Sequence, residues 1–89
     1  MKHTVKCWTE FFDALENGSK TAEIRYNDRD YQKGDTLKIR AWHRLSGCFD
    51  SNKPSIYFEV THILAGKPFL GDGYVMLSLR RLKSTEVTE

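Results

Sequence analysis

Thr36-Leu37-Lys38-Ile39-Arg40-Ala41-Trp42 alternates apolar and polar side chains without a break. Successive side chains of an extended strand point to opposite faces. The stretch therefore predicts a strand with Leu37, Ile39 and Ala41 inward and Lys38, Arg40 and Trp42 outward. Two similar stretches lie downstream. Ile56 to Leu64 sets Ile56, Phe58 and Val60 against Tyr57, Glu59 and Thr61, and Tyr74 to Leu82 turns Val75, Leu77 and Leu79 inward. Residues 43–55, with Ser46-Gly47, Asp50, Ser51, Asn52 and Pro54, read as a long connecting loop. A second loop holds Gly66, Pro68, Gly71 and Gly73, with Phe69 and Leu70 tucked against the body.

Upstream, residues 2–8 form a short strand with His3, Val5 and Cys7 on one side and Thr4, Lys6 and Trp8 on the other. Thr9 is placed to cap a helix over 9–17, with Glu10 and Asp13 in the turn where the helix dipole favours acids. Phe11, Phe12, Ala14 and Leu15 supply its apolar spacing, and Asn17-Gly18 its stop. So short a helix does not persist alone and must be held by packing across an open end of a sheet or barrel. Trp8 suits the outer half of a hydrophobic staple on that helix. Thr21-Ala22-Glu23-Ile24-Arg25 then alternates again. Thr21, Glu23, Arg25 and, if the strand runs on, Asn27 share one face, with Ala22 and Ile24 on the other. Tyr26 to Lys33 is a loop of mixed charge in which Asp28 and Asp30 stabilise turns. A strand, a short helix and four further strands predict a mainly β fold: a small closed or nearly closed barrel of five to six strands in a mixed sheet.

Eighty-nine residues make one domain, assigned to residues 1–82, with 83–89 a mobile tail that has almost nothing to bury. Hydrophobic content of 39% and charged content of 29% are ordinary for a folded globular chain and argue against wholesale disorder. A net charge of +2 is too balanced for a nonspecific nucleic-acid binder, so any such contact must be local. Cys7 and Cys48 stand far apart, and His3, His43 and His62 are scattered, so no metal-ligand spacing exists and neither metal nor cofactor is expected. Cys7 on an apolar strand face and Cys48 in a polar loop are not expected to form a disulfide. Without an apolar leader or a membrane-spanning run, the chain reads as cytoplasmic with reduced thiols, and as a monomer.

The densest charge lies in Gly18 to Asp35, G-S-K-T-A-E-I-R-Y-N-D-R-D-Y-Q-K-G-D, with eight charged residues between a helix-stopping glycine and a turn. Glu23 and Arg25, two apart on a strand, stand side by side. They either pair with each other on a solvated face or grip one polar ligand together.

G-S-K-T-A-E-I-R resembles the G-x-K-x-x-E-x-R signature of the ASCH domains of the PUA-like superfamily. Gly18, Lys20, Glu23 and Arg25 fill all four positions, directly after a short helix as in that family. The continuation N-D-R-D-Y-Q-K-G-D, with H-T-V-K-C-W upstream, is similar to a narrower branch of small bacterial and phage-encoded proteins of unknown function. The resemblance spans about residues 3–80, and 18–35 is its most specific part. It implies a pseudo-barrel with a cleft beside the first helix, and a role in binding RNA or a nucleotide-like ligand.

Residue chemistry adds to that expectation. Lys20 is a mobile point charge suited to a phosphate or carboxylate, and Arg25 a planar fork for bidentate recognition. Glu23 orients Arg25 or accepts from a base amino group. Thr21, Asn27 and Arg29 complete the candidate ligand-binding set, and Tyr26, Tyr31, Trp8 and Trp42 are candidates for base stacking. One enzymatic branch of the resemblance removes the acetyl group from N4-acetylcytidine. It carries Lys and Arg at the positions of Lys20 and Arg25, but a nucleophilic Thr where this chain has Glu23. Thr21 is the nearest hydroxyl here, and Glu59 the one strand-borne acid late enough to stand for that branch's catalytic Glu. No catalytic residue is carried over. Three functions therefore compete: an RNA or nucleotide-binding module, a small hydrolase of modified nucleosides, and a protein-interaction module.

Overall fold

A computed structural model describes residues 1–87. In chain order the elements are β1 (Lys2–Trp8), α1 (Thr9–Asn17), β2 (Ala22–Tyr26), β3 (Thr36–His43), β4 (Cys48–Phe49), β5 (Ile56–Ala65) and β6 (Tyr74–Arg81), followed by one 3-10 turn at Ser84–Glu86. The chain is mostly β. Among the described residues six strands form one sheet in the order β1-β3-β5-β6-β2, with β4 appended to β3. The sheet curls into a half-barrel, with α1 as its one α-helix among the described residues.

β3 sits beside β1 in parallel and β5 in antiparallel register, and β5-β6-β2 continue antiparallel. The parallel pair follows from what separates its strands. A tight turn joins antiparallel neighbours only, and α1 with β2 supplies the longer path back that a parallel neighbour needs. The alternation of β3 is as its sequence reads: Leu37, Ile39 and Ala41 are buried. They meet Val5 and Cys7 of β1, Ile56, Phe58 and Val60 of β5, and Val75, Leu77 and Leu79 of β6 in one core. α1 closes an end of this core with Phe12 and Leu15, and burying Phe12 alone stabilises the fold by about 1.5–3 kcal/mol.

Several local features differ from the sequence expectation. Trp8, not Thr9, occupies the N-cap position, and no side chain caps the helix there. Gly18 ends the helix as expected, with φ of +86° and its N–H donated to Leu15 O. Phe69 is not tucked against the body but stands exposed in the loop between β5 and β6, while Leu70 is half-buried. Within the expected 43–55 loop, Cys48 and Phe49 pair with His43 and Trp42. In the segment expected as a tail, Glu86 binds Arg80. Thr88 and Glu89 lie outside the described residues. Cys7 is a buried and Cys48 an exposed free thiol. Among the described residues, no helix is long and apolar enough to cross a membrane.

The loop from β2 to β3 is pinned by Asp35. Its buried carboxylate accepts from His3 Nε2 at 2.8 Å, from the Gln32 N–H at 2.9 Å and from the Met1 amino group at 3.0 Å. Burial by itself pushes the Asp35 carboxyl upward. The hydrogen bonds from His3, Gln32 and the amino group outweigh it and hold the carboxyl below the usual aspartate value. This knot anchors the loop to the start of β1.

Candidate functional site

β1 and β2 are the two ends of the strand order, and no backbone ladder joins them. The gap is spanned by side chains instead. Arg25 Nη2 donates to Lys6 O, and Arg29 Nη1 donates to Thr4 O at 2.7 Å. Alternation along β2 leaves open which of its two faces is covered. Its charged face turns inward, so that Glu23 is only 7% exposed, while Ile24 of the other face is 58% exposed. The reason is the gap itself, which offers β2 the free carbonyls of β1 where a closed barrel would offer a strand.

Glu23 is the centre of the arrangement. Its Oε1 accepts from Lys20 Nζ and its Oε2 from Arg25 Nε at 3.3 Å. A buried carboxylate is tolerated only when paired and hydrogen-bonded; two cations meet both needs here and leave the trio one positive charge over. Lys20 reaches Glu23 because the chain turns sharply after α1, with Lys20 N–H bonded to Ala14 O at 3.0 Å. Its ammonium also donates to Ala22 O. Arg25 uses Nε for Glu23 and Nη2 for Lys6 O. Five N–H groups on a guanidinium and three on an ammonium leave donors over on both side chains.

These groups line a cleft of about 550 Å³ that runs over the free margin of β2. Glu23, the partly buried Lys20 and Arg25, and Cys7 of β1 lie deep in it. Four rings stand at its mouth, all between 45% and 59% exposed. Trp8 and Phe11 stack with centroids 5.9 Å apart on the α1 side. Tyr26 and Tyr74 meet edge to face at 5.5 Å on the other. Ile24 and Met76, cross-strand neighbours, extend the second wall. Burial, with a further push from Glu23, raises the Cys7 thiol to about 11, so it stays protonated at neutral pH and is a poor nucleophile. Tyr31 is buried in the core cluster, and burial likewise raises its phenol against the opposing pull of Arg25 and Arg29. Arg25 is close enough to act on that hydroxyl through its charge, yet no hydrogen bond of acceptable geometry satisfies it.

The cleft brings together Lys20, Glu23, Arg25, Tyr26 and Trp8 of the sequence-derived set. The others stand outside it. Thr21 is exposed between α1 and β2, its carbonyl accepting from Leu79 N–H. Asn27 closes a turn, with Oδ1 accepting from Tyr31 N–H at 2.9 Å. Arg29 ties the loop to Thr4. Trp42 lies on the outer face of β3, with Lys6 Nζ 4.3 Å over its ring and Phe49 against its edge. Trp8 does pack on the helix that follows, through Phe11, with its ring half in solvent.

Sequence reasoning missed Phe11, Tyr74 and Met76. For Tyr74 and Met76 the signal is the pairing of β6 with β2, which sets Tyr74 opposite Tyr26 and Met76 opposite Ile24 and is invisible until both strands are placed. For Phe11 it is the position three residues after Trp8, in the first turn of α1, where its ring stacks on that of Trp8.

Comparison with known proteins gives a match to a family described as a domain of unknown function, DUF3850, over residues 2–79. The chain is also 36% identical over 75 residues to the uncharacterized 12.9 kDa protein in the GpA 3′ region of Escherichia phage P2. That alignment covers 84% of this chain and 64% of the phage protein, so the chain spans less than two thirds of its relative.

Proposed function

The chain belongs to the DUF3850 family, and from that premise we propose that it is an ASCH-type module of the PUA-like superfamily that binds RNA or a nucleotide-like ligand in the cleft between β1 and β2. The observation that carries this reading is the pairing of a cationic floor with aromatic walls. Lys20 and Arg25 hold N–H donors beyond those spent on Glu23, at the bottom of a cleft whose mouth is four half-exposed rings. Phosphate or carbonyl oxygens meet the donors, and a base stacks on a ring, a contact worth about 1–3 kcal/mol. Both oxygens of Glu23 are engaged, so its part is to aim the two cations rather than to read a base edge.

Binding is favoured over turnover. Thr21 does not line the cleft, and the Cys7 thiol is protonated at neutral pH. The module acts in the cytoplasm, where its two thiols stay reduced.

Titration of the labelled protein with cytidine and uridine monophosphates and a short single-stranded RNA, followed by amide chemical shifts, tests the reading. Shifts clustered on residues 6–8, 20–26 and 74–76 are expected. Lys20→Ala should weaken binding by about 1.5–3 kcal/mol, measured well below a thermal midpoint that falls because Glu23 keeps only Arg25. Shifts that miss this cleft, or affinity indifferent to Lys20, would overturn it. Acetate released from N4-acetylcytidine by the wild type and not by Thr21→Ala would put hydrolysis in its place.

A further inference from the structure

The outer face of β1, β3 and β4 carries three cations laid over rings. Lys6 Nζ lies 4.3 Å from the Trp42 centroid, Arg40 Cζ 3.6 Å from that of Phe49, and Arg44 Cζ 4.9 Å from that of Trp8. These pairs form one patch. Strand register sets Lys6 beside Arg40 and Trp8 beside Trp42, then Trp42 beside Phe49. Trp42 and Phe49 also meet edge to face at 4.8 Å.

Lys6 and Arg40 are not held by carboxylates as Lys53 and Arg80 are. Lys53 answers Asp13, and Arg80 answers Glu59 and Glu86. Among the described residues, neither Lys6 nor Arg40 has a carboxylate partner, and Arg44 shares one, Glu10, at 3.4 Å in solvent. Asp50, the nearby acid of the loop after β4, is taken by His43. A cation stacked on a ring is held in place without losing its N–H donors, so it meets an incoming anion already ordered. Phe49 and Trp8 keep 39% and 46% of their surface exposed.

Lys6 and Trp8 belong to this patch and also line the cleft. Patch and cleft are therefore one continuous surface, running from the gap between β1 and β2 onto the outside of the sheet. We propose that this face carries the backbone of a single-stranded nucleic acid whose end or flipped base occupies the cleft, so that the ligand is a short strand rather than a free nucleotide. The inference rests on the reading of the cleft as a base-binding site and extends it to a second surface. Cations alternating with rings suit a flexible strand with splayed bases, and the small net charge of the chain suits a short one.

The test uses Arg40→Gln/Arg44→Gln, at two exposed positions outside the cleft lining, and Arg40→Gln alone, which leaves Arg44 on the Trp8 ring, with fluorescence anisotropy on a labelled single-stranded octanucleotide and calorimetry on the mononucleotide. The octanucleotide should bind wild type at least about tenfold more tightly than the mononucleotide. The double variant should lose about tenfold on the octanucleotide, and Arg40→Gln alone nothing on the mononucleotide. The double variant's log K against log salt slope should also flatten by about 1.4, as expected for two phosphate contacts on a single strand. An octanucleotide that binds no better than the mononucleotide, or a double variant that binds it like wild type, overturns the second surface and leaves the cleft reading standing. Loss of mononucleotide binding in Lys20→Ala, with the octanucleotide still dependent on Arg40 and Arg44, supports the face separately. A wild type that binds the octanucleotide but no mononucleotide, with the same dependence, sinks the cleft reading and keeps the face. Polyglutamate competing as well as the octanucleotide overturns the proposal, because it brings charge without bases.

Discussion

At the scale of single residues, Glu23 decides most. It is buried, both its oxygens are used, and two cations depend on it for their geometry. Glu23→Ala removes the counter-charge from two partly buried cations. It should cost about 2–4 kcal/mol in urea unfolding, well above an exposed ion pair. The thiols divide in the same way by environment. Alkylation of the native protein at pH 8 should stop at a single adduct on Cys48, which is exposed, while Cys7 reacts only on unfolding. Two adducts at equal rates would show that the cleft floor is open to the reagent. Glu23 was legible as a member of the site from its spacing to Lys20 and Arg25. Its burial was not, because alternation says which residues share a face and leaves open which face is covered. What decides it is Lys6 O, nineteen residues away, which draws Arg25 inward.

At the scale of elements, the strands that carry the core were legible because their alternation is local. β3, β5 and β6 lie within one or two residues of where the pattern sets them, and α1 spans the residues its spacing gives. β4 escaped notice, being two residues long with no period to read. The cleft wall depends on one turn. Gly73 has φ of +81°, and a Cβ there would stand 2.6 Å from the Tyr26 ring. Its carbonyl also accepts from Asn27 N–H at 2.8 Å. Gly73→Ala should therefore cost about 1–3 kcal/mol and displace Tyr26 from Tyr74. A lowered midpoint with shifted ring signals of both tyrosines checks it, and an unchanged Tyr26 spectrum would mean that the turn yields instead.

At the scale of the whole molecule, acid stability should follow the Asp35 knot. Its carboxyl titrates lower in the folded chain than in the unfolded one, so the unfolded state takes up the proton first as pH falls. The stabilisation is complete above the unfolded aspartate value of about 3.9 and is lost as pH falls through the lower folded value. Thermal midpoints between pH 3 and 7 should drop more steeply at the acid end for wild type than for Asp35→Asn, which starts lower at pH 7; parallel curves would remove Asp35 from that role. The same scale shows what a closure made by guanidinium groups entails. A ladder of backbone bonds yields only with its strand, whereas a clasp yields one arginine at a time to whatever outcompetes its carbonyl. Arg25 serves clasp and cleft at once, so an anion that draws it from Lys6 O slackens the rim of the half-barrel. Amide exchange along β1 then becomes a gauge of cleft occupancy, quickening when ligand enters even though β1 gains a neighbour.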